Sequence, residues 1–507
     1  MKAGQTKKKG LSQMKIHFTL FMFLVCSLTH LNDANARIIK AASCAQQDVQ
    51  QAIDAARDGD VVEVPAGTAT WVAEDENHPA VLISGKVVTL RGAGIDQTVI
   101  TDGNRLAWKD LLIWIVGEKP ARVTGFTFKG FIDKNRGAAA IAVRGDCMNW
   151  RIDHCRFDGS PRGVWAYAGC FGLVDNCTFL DVGQGVVMKG HGPLSWERPL
   201  ALGLTNAVYI EDCTFDGGGG ATDGYHGARF VFRHNSLIDT HLAQHGCDSG
   251  NYRSTFSYEV YDNVIGKKDL KSWEVPRAMH FRGGTGVVFN NTLSGFTTGI
   301  DVANYRSSEA LRKLCGKWGI CDGKNPVDGN EEPDGYPARD QIGRSTNQIL
   351  EPLHEWNNTL DGEDADIHVS TGAQHIKENR DFHNDTSRPG YKPYAYPHPL
   401  RDEWPPEPPQ DDEAPTAPLN LTAREVSETR TELTWEPSTD NEGVTGYYVW
   451  LNGARVTTIT DPTYTCYTFK RLKPSATQYS FAVSAFDAAG NESQTCPTVM
   501  QSAPATY

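Results

Sequence analysis

The segment WRIDHCRF (150–157) returns in altered form five more times, as FGLVDNCTF (171–179), VYIEDCTF (208–215), FVFRHNSL (230–237), YEVYDNVI (258–265) and GVVFNNTL (286–293). In each copy a Cys or Asn follows a polar doublet, giving anchors at Cys155, Cys177, Cys213, Asn235, Asn263 and Asn291, spaced 22, 36, 22, 28 and 28 residues apart. Three places before the anchors stand Ile152, Val174, Ile210, Phe232, Val260 and Val288; two places after stand Phe157, Phe179, Phe215, Leu237, Ile265 and Leu293. Apolar positions fixed on both sides of a small polar residue, recurring at about one coil's length, predict a solenoid whose rungs stack. Alternation around Ile152, Ile210 and Val260 has the period of two of a half-buried strand, so the rungs are strands. Asn side chains that bond one another and the backbone at a bend place the anchors at turns. The fold expected is all-β, a right-handed parallel β-helix, its hand following from the rule for parallel connections. A β-sandwich accounts for the strands but not for their register.

Outward from the ladder, Val49, Ile53 and Ala56 mark one face of a helix ending before Gly59. It is suited to cap the open N-terminal end of the solenoid, and residues 61–64 and 87–90 read as first rungs. Before it, residues 1–36 arrange Lys7, Lys8, Lys9 and Lys15, an apolar run from Phe18 to Leu28, and Ala34-Asn35-Ala36, the order of a secretory signal peptide. The run is short for a bilayer span, so the expectation is a secreted protein, extracellular or periplasmic, without stable membrane insertion. The formal charge of −13 becomes −17 without this segment. That balance speaks against a nucleic-acid surface and requires a local basic patch for any anionic substrate. A monomer is expected. Eleven cysteines follow the signal segment; Cys315 with Cys321 and Cys466 with Cys496 are the plausible disulfide partners, while the ladder cysteines read as small buried hydrophobes.

Residues 305–348 interrupt the repeat with a long insertion containing LCGKWGIC and DGNEEPDG, a length typical of a functional or irregular loop. PGYKPYAYPHPL (389–400) is expected to close the solenoid with aromatics laid along it. Residues 401–416 are dense in Pro and acid, the composition of an extended spacer. Two resemblances follow. The stretches SCAQQDVQQAIDAARDGDVVEVPAGTATW (43–71) and GKVVTLRGAGIDQTVI (85–100), with the ladder, resemble the pectate-lyase-like β-helix superfamily, whose members include lyases, hydrolases, epimerases and noncatalytic adhesins. Residues 417–507, with Trp435 as core Trp, Tyr479 as corner Tyr and AFDAAGNES (485–493), resemble a fibronectin type III domain. The domain boundaries expected are 1–36, 37–400, 401–416 and 417–507.

Candidate chemistry sits on the strands that follow each anchor. With Met279, Phe281, Ile300 and Val302 inward, His245, His280, Arg282 and Asp301 face outward on neighbouring rungs about 4.8 Å apart. Trp165, Tyr167 and Lys189 extend the same surface, and Asp248 and Arg253 lie at its edge. Aromatics can stack on sugar rings, cations can hold a carboxylate, and a His can move a proton. Uronate β-elimination requires that combination: a base beside the carbon next to a neutralised carboxylate. His245 or His280 is expected as base, Arg282 and Lys189 as neutralisers, Asp301 to orient a His, and Trp165, Tyr167, Asp248 and Arg253 to contact substrate. The partner expected is an extracellular acidic polysaccharide. A hydrolase using Asp301 with Asp248, and a noncatalytic glycan-binding or adhesion protein, are the competing readings. A second column, Asp153, Asp175 and Glu211 with Arg151, Arg233 and Glu259 beside it, is expected to be neutralised by its arginines rather than by calcium, the one cofactor the sequence brings to mind.

Overall fold

Each ladder coil bends at the residue before its anchor. His154, Asn176, Asp212, His234, Asp262 and Asn290 have φ between 48 and 55°, the left-handed region that Asn, Asp and His enter more readily than other residues with a Cβ. In this computed structural model the described residues are 37–507 apart from 105–111, 131–138, 249–251, 269–275, 308–314, 326–334, 403, 405–412, 428, 442, 471, 473–477, 488–490 and 503–507. The signal segment, DGNEEPDG up to Asp334 and much of the spacer lie outside them.

Beyond the bend the anchors form a hydrogen-bonded column. The Cys213 N–H donates to Asn235 Oδ1 at 2.9 Å, Asn235 N–H to Asn263 Oδ1 at 2.9 Å, Asn263 N–H to Asn291 Oδ1 at 3.1 Å and Asn291 N–H to Asn358 Oδ1 at 3.0 Å. Asn358 is thus one rung more than the sequence ladder contained. Cys155 and Cys177 continue the column as buried thiols, which burial pushes well above the ordinary range. All twelve flanking apolar residues are buried, none more than 2% exposed. Phe157, Phe179 and Phe215 stack at centroid separations of 4.8 and 4.5 Å, so one inward position builds a continuous column of rings.

Among the described residues the rungs form three sheets of twelve, eleven and ten strands. Pairing within them is parallel apart from the closing Thr359–Leu360 with Glu363–Asp364. The helix Gln46–Ala55 buries Val49, Ala52 and Ile53 in the same core as the first rungs, as a cap must. At the far end Glu355 stands in the inward column beside Val288. The rung Leu353–Trp356 therefore keeps the register of the ladder, with a carboxyl only 1% exposed where an apolar residue is the rule. Asn358 Nδ2 donates to its Oε1 at 2.8 Å, and burial pushes its pKa up to about 7.

The acidic column lies on the twelve-stranded sheet, neutralised by arginine. Arg122 holds Asp153 at 2.6 and 2.7 Å, Arg151 holds Asp175 at 2.9 Å twice, and Arg233 holds Glu211 at 2.8 Å. Over this column lies the segment 389–401. Arg233 donates to the carbonyls of Tyr394 and Ala395, and Arg151 to those of Leu400 and Arg401, while Leu400, Tyr391 and Tyr394 pack on Leu173, Tyr209 and Phe289. Arg401 and Trp404, which composition assigns to the spacer, also belong here: Arg401 pairs with Asp212, and Trp404 Nε1 donates to Thr89 Oγ1 at 2.8 Å. Side chains that find partners on the solenoid override the spacer composition around them.

Neither expected disulfide is present. Cys315 and Cys321 are buried thiols; Cys466 is exposed, while Cys496 is buried and its Sγ accepts from the Val483 N–H. A second compact unit begins at Pro406. Its strands form an antiparallel sandwich of three and four strands, with Trp435 buried edge-on against Tyr447 at 5.4 Å. Tyr479 is half-buried in the strand Gln478–Asp487.

Candidate functional site

The ten-stranded sheet carries the candidate chemistry on its outer face. Its register aligns one outward row as Trp114, Ala142, Trp165, Val187, Asp223, Ala243, His280, Asp301 and His368. Two residues further along the strands runs a second row, with Arg144, Tyr167, Lys189, Tyr225, His245 and Arg282. Large and small side chains alternate in the first row; Ala142 and Val187 are covered by their neighbours, and Ala243 is half-buried.

Two His–Asp pairs flank Ala243. On one side His245, just past the strand Leu242–Gln244, points Nδ1 at Asp223 Oδ1, 2.5 Å away. The other oxygen of Asp223 accepts from Gln184 Nε2, and Gln184 Oε1 accepts from Arg162 Nε at 2.7 Å. A carboxylate bonded this way fixes Nδ1–H and leaves the Nε2 lone pair as the acceptor. The His245 side chain is 33% exposed.

On the other side of Ala243, His280 Nδ1 lies 2.7 Å from Asp301 Oδ2, and its Nε2 lies 3.0 Å from the Tyr305 hydroxyl. Arg277 Nη1 reaches the same Asp301 oxygen at 2.5 Å, and Ser370 Oγ donates to it at 3.0 Å. The carboxylate is the strongest acceptor present, so it accepts the hydrogen bond from Nδ1–H and Tyr305 donates to Nε2. Burial, with Arg277 nearby, holds the His280 pKa below its ordinary value against the opposing pull of Asp301. Burial works against ionisation of Asp301, yet the bonds from His280 and Ser370 and the charge of Arg277 hold its carboxyl below its ordinary range. His280 is therefore neutral and Asp301 ionised near pH 7.

The remaining sequence candidates divide into surface and support. Trp165 and Tyr167 stack at 4.9 Å with 18° between their planes. Lys189 Nζ lies 6.0 Å from the Tyr167 ring and 5.8 Å from that of Tyr252. Asp248, 4% exposed, bonds Arg282 Nη1 at 3.1 Å, while Arg282 Nε donates to the Gln244 carbonyl. Arg253 is withdrawn from the surface: it is 6% exposed and grips Asp340 through two bonds of 2.6 Å. Its guanidinium is committed to anchoring the insertion, a partner 87 residues away in sequence.

Sequence reasoning missed Asp223, Tyr305 and the Arg162–Gln184 link. The rung Thr222–Tyr225 shows no apolar alternation, because its inward residues are Thr222 and Gly224. A signal existed: Asp223 stands ten residues after Cys213, as Trp165 does after Cys155 and Val187 after Cys177. Tyr305 opens the insertion, where no repeat governs position. Among the described residues, the one group of three acidic side chains whose oxygens converge within 4.8 Å is Glu355, Asp366 and Asp385, at the C-terminal end of the solenoid and not in the groove.

Fold and face define a three-sheet parallel β-helix whose ten-stranded sheet has a polar and aromatic outer face, followed by a separate β-sandwich. Residues 414–501 match the model of the fibronectin type III domain. Similar proteins include chitinase A1 of Niallia circulans, 44% identical over 87 residues, which cover 17% of this chain and 12% of that protein. Exoglucanase B of Cellulomonas fimi is 43% identical over 83 residues, covering 16% and 7%. Among solved structures, chitinase ChiA74 from Bacillus thuringiensis is 34% identical over 18% of this chain and 14% of that one, with a TM-score of 0.16. The chain spans less than a sixth of the length of each of these relatives. Among the described residues no helix is long and apolar enough to cross a membrane.

Proposed function

We propose that the chain is an exported, polysaccharide-associated protein whose groove cleaves a uronate-containing polysaccharide by β-elimination. The observation that carries this reading is the pair of His–Asp couples on either side of Ala243. Asp223 to His280 spans two rungs, about 9.6 Å, room for one sugar ring over the Ala243 floor. In this scheme His245 Nε2 takes the proton from the carbon beside the uronate carboxylate. The electron pair left behind forms the ring double bond as the glycosidic C–O bond breaks. The departing oxygen receives the Tyr305 hydroxyl proton, and the proton taken up by His245 passes through solvent to the tyrosinate, which restores both groups. Lys189, half-buried on the second row with aromatic neighbours, and Arg282 lower the cost of charge on the carboxylate.

A hydrolase is less well supported. Asp248 is buried against Arg282, and Asp301 is held ionised by His280, Arg277 and Ser370, so the two do not offer the protonated acid and separate base that such an enzyme needs. The names of the relatives that share the fibronectin type III domain, chitinases and an exoglucanase among them, support a polysaccharide partner without specifying a reaction. The test is incubation with a panel of uronate polysaccharides, with and without calcium, while the ultraviolet absorbance of unsaturated ends is followed. The expected rise disappears in His245→Ala. An equal rate in that variant rejects His245 as base.

A further inference from the structure

The groove extends well beyond the two His–Asp couples, and its N-terminal half has chemistry of its own. Arg144 Cζ lies 4.1 Å from the Trp114 ring centroid and 4.4 Å from that of Tyr167, a guanidinium sandwiched between two aromatic faces. Its Nη2 donates to the Tyr167 hydroxyl at 3.2 Å. Arg162 Cζ lies 4.8 Å over the Trp165 ring and is fixed through Gln184 to the carboxylate that orients His245. Trp114, Trp165, Tyr167 and Arg144 are each half-buried. Stacked rings interleaved with fixed cations have little side-chain freedom left to lose on binding, and they offer an apolar face beside positive charge.

We propose that this cluster is a distal subsite for a uronate unit, and that it sets a minimum chain length for productive binding. The proposal rests on the uronate reading of the same groove. Trp165 and His280 share the outward row four rungs apart, about 19 Å. One rung is close to the rise of one pyranose unit in an extended glycan. Ala243 is three of those rungs from Trp165, so a chain with one unit over Ala243 sets a unit about three places away on Trp165 and Tyr167, within reach of Arg144. Chains of about four units or more reach both Ala243 and Trp165, and trimers reach one of them only.

The test is calorimetric titration of His245→Ala protein, which binds without turnover, with size-fractionated oligouronates from dimer to octamer. Oligogalacturonates and oligoalginates serve as the probes. The expected result is a rise in affinity of about tenfold, equivalent to about 1.4 kcal/mol, on passing from trimer to pentamer or hexamer. Adding Trp165→Ala or Arg144→Ala removes that step and leaves trimer affinity unchanged, with melting temperature checked to exclude misfolding. A plateau already reached at the trimer overturns the subsite, as does an equal loss for trimer and octamer in Trp165→Ala. Turnover of polymer by the unaltered protein is followed separately. Unsaturated product without a length step refutes the subsite alone. A length step without unsaturated product refutes the elimination alone and upholds the subsite. No binding at any length overturns both.

Discussion

Replacing Asp223 by Asn preserves the shape of the couple that orients His245 and removes its charge. In the proposed reaction an imidazolium forms 2.5 Å from that carboxylate, with the Asp and His side chains 11% and 33% exposed. Two unit charges centred about 4 Å apart attract by about 4 kcal/mol at an effective dielectric constant near 20. Solvent reaching the His edge reduces this to about 2–3 kcal/mol. If that stabilisation exists only once the proton has moved, kcat falls by about thirtyfold to a hundred-and-fiftyfold while KM changes little. The assay is the initial rate of unsaturated-end formation on a uronate polymer, with melting temperature as the folding control. Gln184→Ala, which removes the second bond to Asp223 and keeps the charge, should fall between the Asn variant and the unaltered chain. Turnover within twofold of normal in Asp223→Asn refutes the orienting role, and a loss confined to KM assigns Asp223 to substrate binding.

Three further outcomes test the scaffold. Asn263→Ala removes the acceptor of the Asn235 N–H and the donor to the Phe232 carbonyl in a site 1% exposed; it should cost about 3 kcal/mol in denaturant unfolding. Arg233→Ala leaves Glu211 with less neutralising charge in a site where both side chains are 0% exposed and frees the carbonyls of Tyr394 and Ala395; a loss of about 3–5 kcal/mol is expected, with faster proteolysis near residues 394–396. Glu355 has its folded pKa raised by burial to about 7 from 4.5, so the folded chain binds its proton more tightly than the unfolded one. Its contribution is fully present below pH 4.5 and is lost as the pH rises to 7, about 3 kcal/mol in all; Glu355→Gln should flatten that decline, seen as a higher melting temperature at pH 7 and above with little change at low pH.

The solenoid was legible because its determinants are local and repeated. An anchor, a left-handed residue before it and an apolar residue at fixed distance on each side recur within one coil, and Ile152, Phe157 and their counterparts occupy the expected core positions. The outward placement of His280 and Asp301 followed from the same parity. What stayed hidden depends on contacts between distant coils. Arg253 offers a cation to the sequence reader, yet its partner Asp340 comes from the insertion. Asp223 sits in a Gly-rich rung with no apolar pattern to reveal its parity, and Tyr305 follows the last regular strand before the insertion. Glu355 breaks the inward pattern because the final rung has Asn358 and the Asp385 N–H within hydrogen-bonding reach of its carboxyl, partners that an interior apolar column does not provide.

Cleavage in heavy-oxygen water separates elimination from hydrolysis on this face of the solenoid. Products are analysed by mass spectrometry after exhaustive digestion of whichever uronate polymer the protein degrades. Elimination breaks the glycosidic bond without adding water, so unsaturated ends are expected, with no heavy oxygen incorporated at the moment of cleavage. Saturated products carrying one heavy oxygen per bond broken would contradict it and make the groove that of a hydrolase.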